Sequence, residues 1–389
     1  MKKLFALSLS LLMMVSCSSA QKEIQVGALS FDEYLPLLEG KRVSILSNQT
    51  GMVSSTTHLL DTLLDMGVNV VSIMSPEHGF RGVADAGEHV SSSIDPDTGI
   101  PIRSLYESGV NRPSDESMAE FDVMVFDLQD VGVRFYTYNA TMARMMDACA
   151  QFGKKMIVLD RPNPLGYYVD GPILDMKYKS GVGWLPVPVV HGMTLGELAL
   201  MINGEGWLKD GIQCDLTVVP CTNYTRDMEY VLPIKPSPNL PDMRSIYLYP
   251  STCYFEATPV SLGRGTDKPF QIYGHPDMTG YDFSFTPRSV PGAKNPPQLD
   301  KLCYGVDLSS LSIEEIKARG INLEYVIDAY NNLKLDDKKM FRSFFELLIG
   351  QGYVREMIVE GKSAAEIEAM WADDVVKFKE QRAPYLIYE

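Results

Sequence analysis

From Lys41 to about Pro220, short apolar runs rich in β-branched residues alternate with leucine- and methionine-rich stretches at helical spacing. Such alternation is the signature of βαβ units around a parallel sheet. It predicts strands over residues 42–47, 69–74, 123–127, 156–160, 187–190 and 216–220. Crossover helices are predicted over 56–66, 137–152 and 194–203, the last opening with the capping box Thr194-x-x-Glu197. Beyond Tyr224 the texture changes to proline-rich, aromatic segments as far as about Gln298. Helical patterns then follow over 312–319, 323–332, 340–349 and 364–381. The expected fold class is therefore α/β: a Rossmann-like parallel-sheet domain over residues 21–225, then a smaller α+β domain over 226–389 packed against it.

Each predicted strand ends in a polar cluster. Asn48-Gln49-Thr50-Gly51 follows the first, Pro76-Glu77-His78-Gly79-Phe80-Arg81-Gly82 the second, and Asp127 to Arg134 the third. Asp160-Arg161-Pro162-Asn163-Pro164 follows the fourth and His191-Gly192 the fifth. In an open α/β sheet, ligands bind outside the carboxyl ends of the strands, so these clusters are expected to converge on one crevice. Asp and Asn after a strand are also helix caps and turn formers, and any one of them has that second reading. Glu77 stands apart, because a glutamate between Pro76 and Gly79-x-x-Gly82 has no helical or strand role to fill. His58 and His89 read as surface or helix residues.

Composition narrows the chemistry. A net charge of -15 over 389 residues, with no basic run, argues against nucleic acid as a partner. Any anionic substrate must be met by a few placed arginines working against the overall field. Lys2 and Lys3 precede an apolar run from Leu4 to Val15, shorter than the roughly 20 residues a bilayer requires but suited to a signal peptide. Residues 1–20 are thus expected to direct export, to the periplasm or as an outer-membrane lipoprotein. Ser18-Ser19-Ala20 suits ordinary signal peptidase, whereas Met14-Val15-Ser16-Cys17 matches a lipobox with Met in the usual Leu position and would place a lipid on Cys17. The membrane is a partner only through that anchor. Cys149, Cys214, Cys221, Cys253 and Cys303 show no C-x-x-C spacing and read as buried apolar side chains, although Cys214 and Cys221 are close enough in sequence to pair. The chain lacks G-x-G-x-x-G, G-x-x-x-x-G-K-[ST], G-x-S-x-G and H-E-x-x-H, which leaves dinucleotide, nucleotide, serine-esterase and zinc-protease chemistry without a motif. Carboxylate chemistry in a cleft remains, and with abundant aromatics it points to glycoside hydrolysis.

Several segments resemble those of the bacterial exo-β-N-acetylmuramidase family: Ser47 to Gly51, Ser75 to Gly82, Phe126 to Tyr138, Leu159 to Pro164, Pro236 to Pro241 and Phe255 to Thr266. Tyr167-Tyr168 departs from the more glycine-rich stretch expected after Gly166. The resemblance implies an active site in the cleft between the two domains and release of terminal N-acetylmuramic acid from the non-reducing end of peptidoglycan fragments. It implies no metal or nucleotide cofactor. The competing class is an exported glycan-binding lipoprotein without catalysis.

Glycosidic cleavage needs an acid near the leaving oxygen and a second group on the opposite face of the sugar. Glu77 is the expected acid, and Asp127, Asp130 and Glu256 compete for the second role. That second group activates water in an inverting enzyme, or orients the sugar's own acetamido group if that is the nucleophile. The lactyl carboxylate of the substrate calls for a guanidinium, with Arg81, Arg134, Arg161 and Arg264 as candidates. Asn48, His78, Asn163, His191 and Asn239 are expected to serve hydroxyl and amide groups, and Tyr136 and Tyr138 either pack on the sugar ring or fill the core.

Overall fold

The computed structural model describes residues 22–76, 80, 92–105 and 112–389. Seven strands form one sheet: β1 (Val43–Ser47), β2 (Val70–Ser75), β3 (Ser93–Ile94), β4 (Pro101–Ser104), β5 (Val123–Asp127), β6 (Lys155–Leu159) and β7 (Asp215–Val219), in the order β3-β4-β2-β1-β5-β6-β7. All neighbours are parallel except β3 and β4. The chain moves outward from β1 in both directions, so the topological switch lies between β1 and β5, where a crevice opens beyond the strand ends.

The strands read as continuous apolar runs because both faces are covered. Alternate residues divide between two cores. Val43, Ile45, Val123, Val125, Ile157 and Leu159 face a core shared with the helices α1 (Phe31–Leu38) and α2 (Leu59–Asp65). Leu46, Met124, Phe126, Met156 and Val158 face the other core, shared with α4 (Tyr138–Gln151) and α5 (Leu195–Gly204). A short α3 (Asp115–Ala119) precedes β5. The Thr194–Glu197 capping box forms as its sequence predicts.

Residues 187–190 are not a sheet strand. Val187, Val189 and Val190 are buried as their composition demands, but Pro188 has no N–H for a ladder, and Val190 makes only isolated bridges to Val133 and Asp170. His191 therefore does not follow a strand end.

The C-terminal part contains α6 (Met243–Thr252), a three-stranded antiparallel sheet of β8 (Ile272–His275), β9 (Phe283–Phe285) and β10 (Cys303–Asp307), and seven helices among the described residues. These are α7 (Ile313–Arg319), α8 (Glu324–Leu333), α9 (Asp337–Met340), α10 (Phe344–Ile349), α11 (Tyr353–Val359), α12 (Ala364–Glu368) and α13 (Ala372–Arg382). Helix α6 runs through a segment whose prolines suggest irregular chain. Pro250 sits in its last turns, and the helix is set at its start by an Asp242 capping box. The final residues return to the large sheet, where the Tyr388 hydroxyl donates to Asp160 at 2.7 Å and accepts from the Cys221 N–H at 2.8 Å. All five cysteines named above are free and buried, so Cys214 and Cys221 do not pair.

Candidate active site

A recess of about 530 Å³, counting its open mouth, lies where the chain leaving β5 meets the segments around α6. Phe135, Tyr136, Thr137 and Tyr138 form one side, and Ser237, Asn239, Tyr249, Glu256, Arg264 and Phe270 the other. Of the residues expected from sequence, the structure brings Tyr136, Tyr138, Asn239, Glu256 and Arg264 together here.

A directional chain of hydrogen bonds builds the tyrosine side. The Asn48 carbonyl accepts from the Thr50 N–H at 2.9 Å and hydroxyl at 2.6 Å, which leaves its amide nitrogen to donate to the Tyr138 hydroxyl at 2.7 Å. The Tyr136 hydroxyl donates to the Pro236 carbonyl at 2.8 Å. The two rings meet edge to face at 4.7 Å, and Tyr136 is flanked at 6.3 Å by Tyr249. Asn48 thus acts one bond behind the wall, holding a phenol rather than facing the recess. Burial raises the Tyr136 phenol well above its ordinary range, so it remains a neutral donor.

The opposite wall carries the charge. Arg264 hydrogen-bonds and ion-pairs with Glu256, and its guanidinium lies 5.2 Å over the Phe270 ring. Side-chain exposures of 18% for Arg264 and 23% for Glu256 leave both reachable from the recess. Asn239 donates to the Gly292 carbonyl at 2.8 Å, which fixes its head group.

Other candidates have different work. Asp127 is fully buried, and its two oxygens accept from Arg161 Nε at 2.5 Å and Nη2 at 3.0 Å. This corrects two expectations together: the carboxylate cannot reach a sugar, and the guanidinium is already engaged. Arg134 is likewise corrected. It is fully buried, and its terminal nitrogens donate to the carbonyls of Pro172, Val187, Leu348 and Ile349 at 2.7 to 3.0 Å, without a carboxylate partner among the described residues. That desolvation lowers its pKa to about 10. Asn163 ties the turn after β6, donating to the Met193 carbonyl and accepting from the Leu165 N–H. His191 is buried, accepts from the Met193 N–H at 3.2 Å, and is driven down to about 3 by burial and by Arg382 and Arg134. Neither Asn163 nor His191 lines the recess.

Asp130 is intermediate. One oxygen accepts from the Gly132 N–H at 2.8 Å, the other is buried without a partner, and desolvation raises its pKa to about 7. Its charge helps raise the nearby Tyr136 phenol, but Asp130 does not line the recess. Glu77, His78 and Arg81 lie outside the described residues, as does His89. Pro76 ends the described run after β2, and Phe80 packs edge-on at 5.1 Å against His58. Of the two readings its sequence offers His58, surface or helix, the structure bears out the helix: His58 caps α2 by accepting from the Leu60 N–H and lies 2.8 Å from the Asn48 carbonyl.

Sequence reasoning did not single out Tyr249, Phe270 or Ser237. Tyr249 falls within the helix that Pro250 concealed, Phe270 reads as plain core, and Ser237, whose hydroxyl accepts from the Asn239 N–H, is uncharged and lies among prolines. Their role emerges only from tertiary contact.

Two family models together span most of the chain: exo-beta-N-acetylmuramidase NamZ, N-terminal, over residues 43–244, and exo-beta-N-acetylmuramidase NamZ, C-terminal, over residues 247–388. The chain belongs to the NamZ family. It is 37% identical over 373 residues to the peptidoglycan beta-N-acetylmuramidase NamZ of Bacillus subtilis (strain 168), covering 92% of this chain and 89% of that protein. Two crystal structures of DUF1343 family proteins from Bacteroides fragilis NCTC 9343 share its fold. One has a TM-score of 0.88 at 61% identity, covering 95% of this chain and 99% of the other; the second has 0.78 at 30%, covering 94% and 99%. As a NamZ family member the chain is a glycoside hydrolase, with a mostly parallel sheet domain and a smaller C-terminal part contributing opposite sides of the recess.

Proposed function

We infer that this exo-acting glycoside hydrolase releases terminal β-linked N-acetylmuramic acid from the non-reducing end of peptidoglycan fragments, and that the tyrosine- and arginine-lined recess holds the departing sugar. The observation that carries the assignment of the recess is Arg264. Among the candidate arginines within the described residues, it alone combines exposure to the recess with a partner, Glu256, that shares the same wall. Its planar fork suits the lactyl carboxylate that distinguishes muramic acid from N-acetylglucosamine. Tyr136, Tyr138 and Tyr249 offer ring edges to the pyranose.

Glu77 is proposed as the general acid, on the sequence argument that a glycine-flanked carboxyl beside the strand ends has no structural duty. With Asp127 committed to Arg161, Asp130 and Glu256 remain for the second role. Asp130 is buried and does not line the recess, but one of its oxygens has no hydrogen-bond partner among the described residues and its pKa is raised to about 7, so it would gain or lose a proton near neutrality. Glu256 is held ionically by Arg264 and suits orienting the sugar's amide. Residues 1–20 support export, with a lipid on Cys17 if the lipobox is read.

The test is a digest of defined muramic-acid-terminated saccharides by the wild type and by Glu77→Gln. Free N-acetylmuramic acid and a saccharide shortened by one residue are expected from the wild type, with loss of about 10²-fold or more in the variant. Internal cleavage, or a variant keeping over about a tenth of the rate, would reject exo action or Glu77 respectively.

A further inference from the structure

The sugar recess does not end blindly. It shares Ser237 with one neighbouring hollow, and Glu256 and Arg264 with another. A turn at residues 290–293, closed by the paired Val290 and Ala293, stands between the two hollows. Gly292 lines both, and its φ of +83° presses the turn so close to Pro238 that an added Cβ would lie 2.5 Å from the proline ring. Asn239 holds the same turn through the Gly292 carbonyl.

The two hollows differ in chemistry. One extends the charged wall: Arg264 and Glu256 are joined there by Lys294 and Asn295. The other is lined mainly by Pro233, Ile234, Pro238 and Pro291, with Lys235 at its edge and Gln49 from the loop after β1. Gln49 donates to the carbonyls of Lys235 and Pro236 at 3.2 and 3.4 Å, which fastens the proline segment to the strand ends.

We propose that the cleft forks at this turn, and that the apolar arm of Pro233, Ile234, Pro238 and Pro291 is the subsite for the leaving group, the saccharide or aglycone on the reducing side of the scissile bond. The assignment rests on the glycosidase reading above. Chemistry sorts the arms: an anionic lactyl group is drawn to Arg264, which lines the recess and the charged arm, whereas the C–H faces of a neutral pyranoside or an aryl group bury well against the prolines and Ile234 of the other arm. β1 and β2 are paired in parallel with Leu46 opposite Met74, so the chains leaving them run from the same edge of the sheet, and Gln49 of the first reaches the apolar arm.

The experiment compares wild type, Ile234→Asp and Pro291→Asp in two measurements: KM for the 4-nitrophenyl β-glycoside of N-acetylmuramic acid, and Ki of free N-acetylmuramic acid, which fills the sugar recess but has no leaving group. Ile234 is half-buried and Pro291 exposed, so both variants are expected to melt with the wild type. The proposal predicts a KM raised about fivefold or more in each, with Ki changed by less than about twofold. Unchanged KM in both variants, or KM and Ki rising together, would overturn it. A wild type that does not cleave the glycoside at all would instead overturn the glycosidase reading and the assignment with it, an outcome separable from the others.

Discussion

The floor beneath the strand ends and the wall raised by the C-terminal part use the same residue types for opposite ends. On the floor, Asp127 and Arg161 are both buried and satisfy each other, while Arg134 is spent on four carbonyls. On the wall, Glu256 and Arg264 form the same kind of pair but stay open to the recess. A carboxylate–guanidinium pair with no exposed face is a fastener; one with a free edge is a recognition device. The difference lies in what surrounds the pair, because a desolvated charge must be fully matched inside the protein, whereas a partly exposed one can exchange its partner for substrate.

The comparison is broken most severely at its buried end. Asp127→Ala leaves the Arg161 charge uncompensated and is expected to cost about 3 to 5 kcal/mol, read as a lowered midpoint in chemical denaturation. A stability unchanged within about 1 kcal/mol would mean the floor pair is no fastener. Next, Arg264→Met should leave the denaturation midpoint nearly untouched, since the pair is partly solvated, yet lower kcat/KM on the muramic glycoside about 10- to 100-fold. A variant that lost stability instead would place Arg264 with the floor residues.

The pH dependence supplies a finer cut. Burial raises Asp130 from the ordinary carboxyl range to about 7 in the folded protein, so between about pH 4 and 7 the folded state holds a proton that the unfolded chain has lost. Its contribution to stability is therefore full below pH 4 and is lost as pH rises through 7. His191, depressed to about 3, acts in the opposite sense, its contribution being lost as pH falls from about 6.5 towards 3. Asp130→Asn should remove the first slope alone, seen as a stability difference from wild type that changes between pH 4 and 7 and is flat above. A difference constant across that window would show that Asp130 does not titrate there.

The same contrast explains what could be read from the chain. β1, β5 and β6 were legible because strands covered on both faces must be apolar throughout. Residues 187–190 imitate that pattern, being just as buried, and only Pro188 betrays that no ladder passes through them. Helix α6 was hidden by Pro250, and with it Tyr249. The polar clusters after β1, β5 and β6 stand at strand ends as expected, whereas His191 does not, and the partners are non-local: Asp127 meets Arg161 thirty-four positions away, and Arg134 meets carbonyls more than two hundred positions away. Whether such a residue fastens or recognises is decided by burial, which the local sequence does not encode.

The most direct test of the recess as the muramic acid site is the ratio of kcat/KM for chromogenic β-glycosides of N-acetylmuramic acid and N-acetylglucosamine, in wild type and Arg264→Met. The wild type is expected to prefer the muramic substrate strongly, and in the variant that preference collapses by about tenfold or more while the weak action on the glucosamine substrate persists. An unaltered ratio in a folded Arg264→Met protein would contradict it.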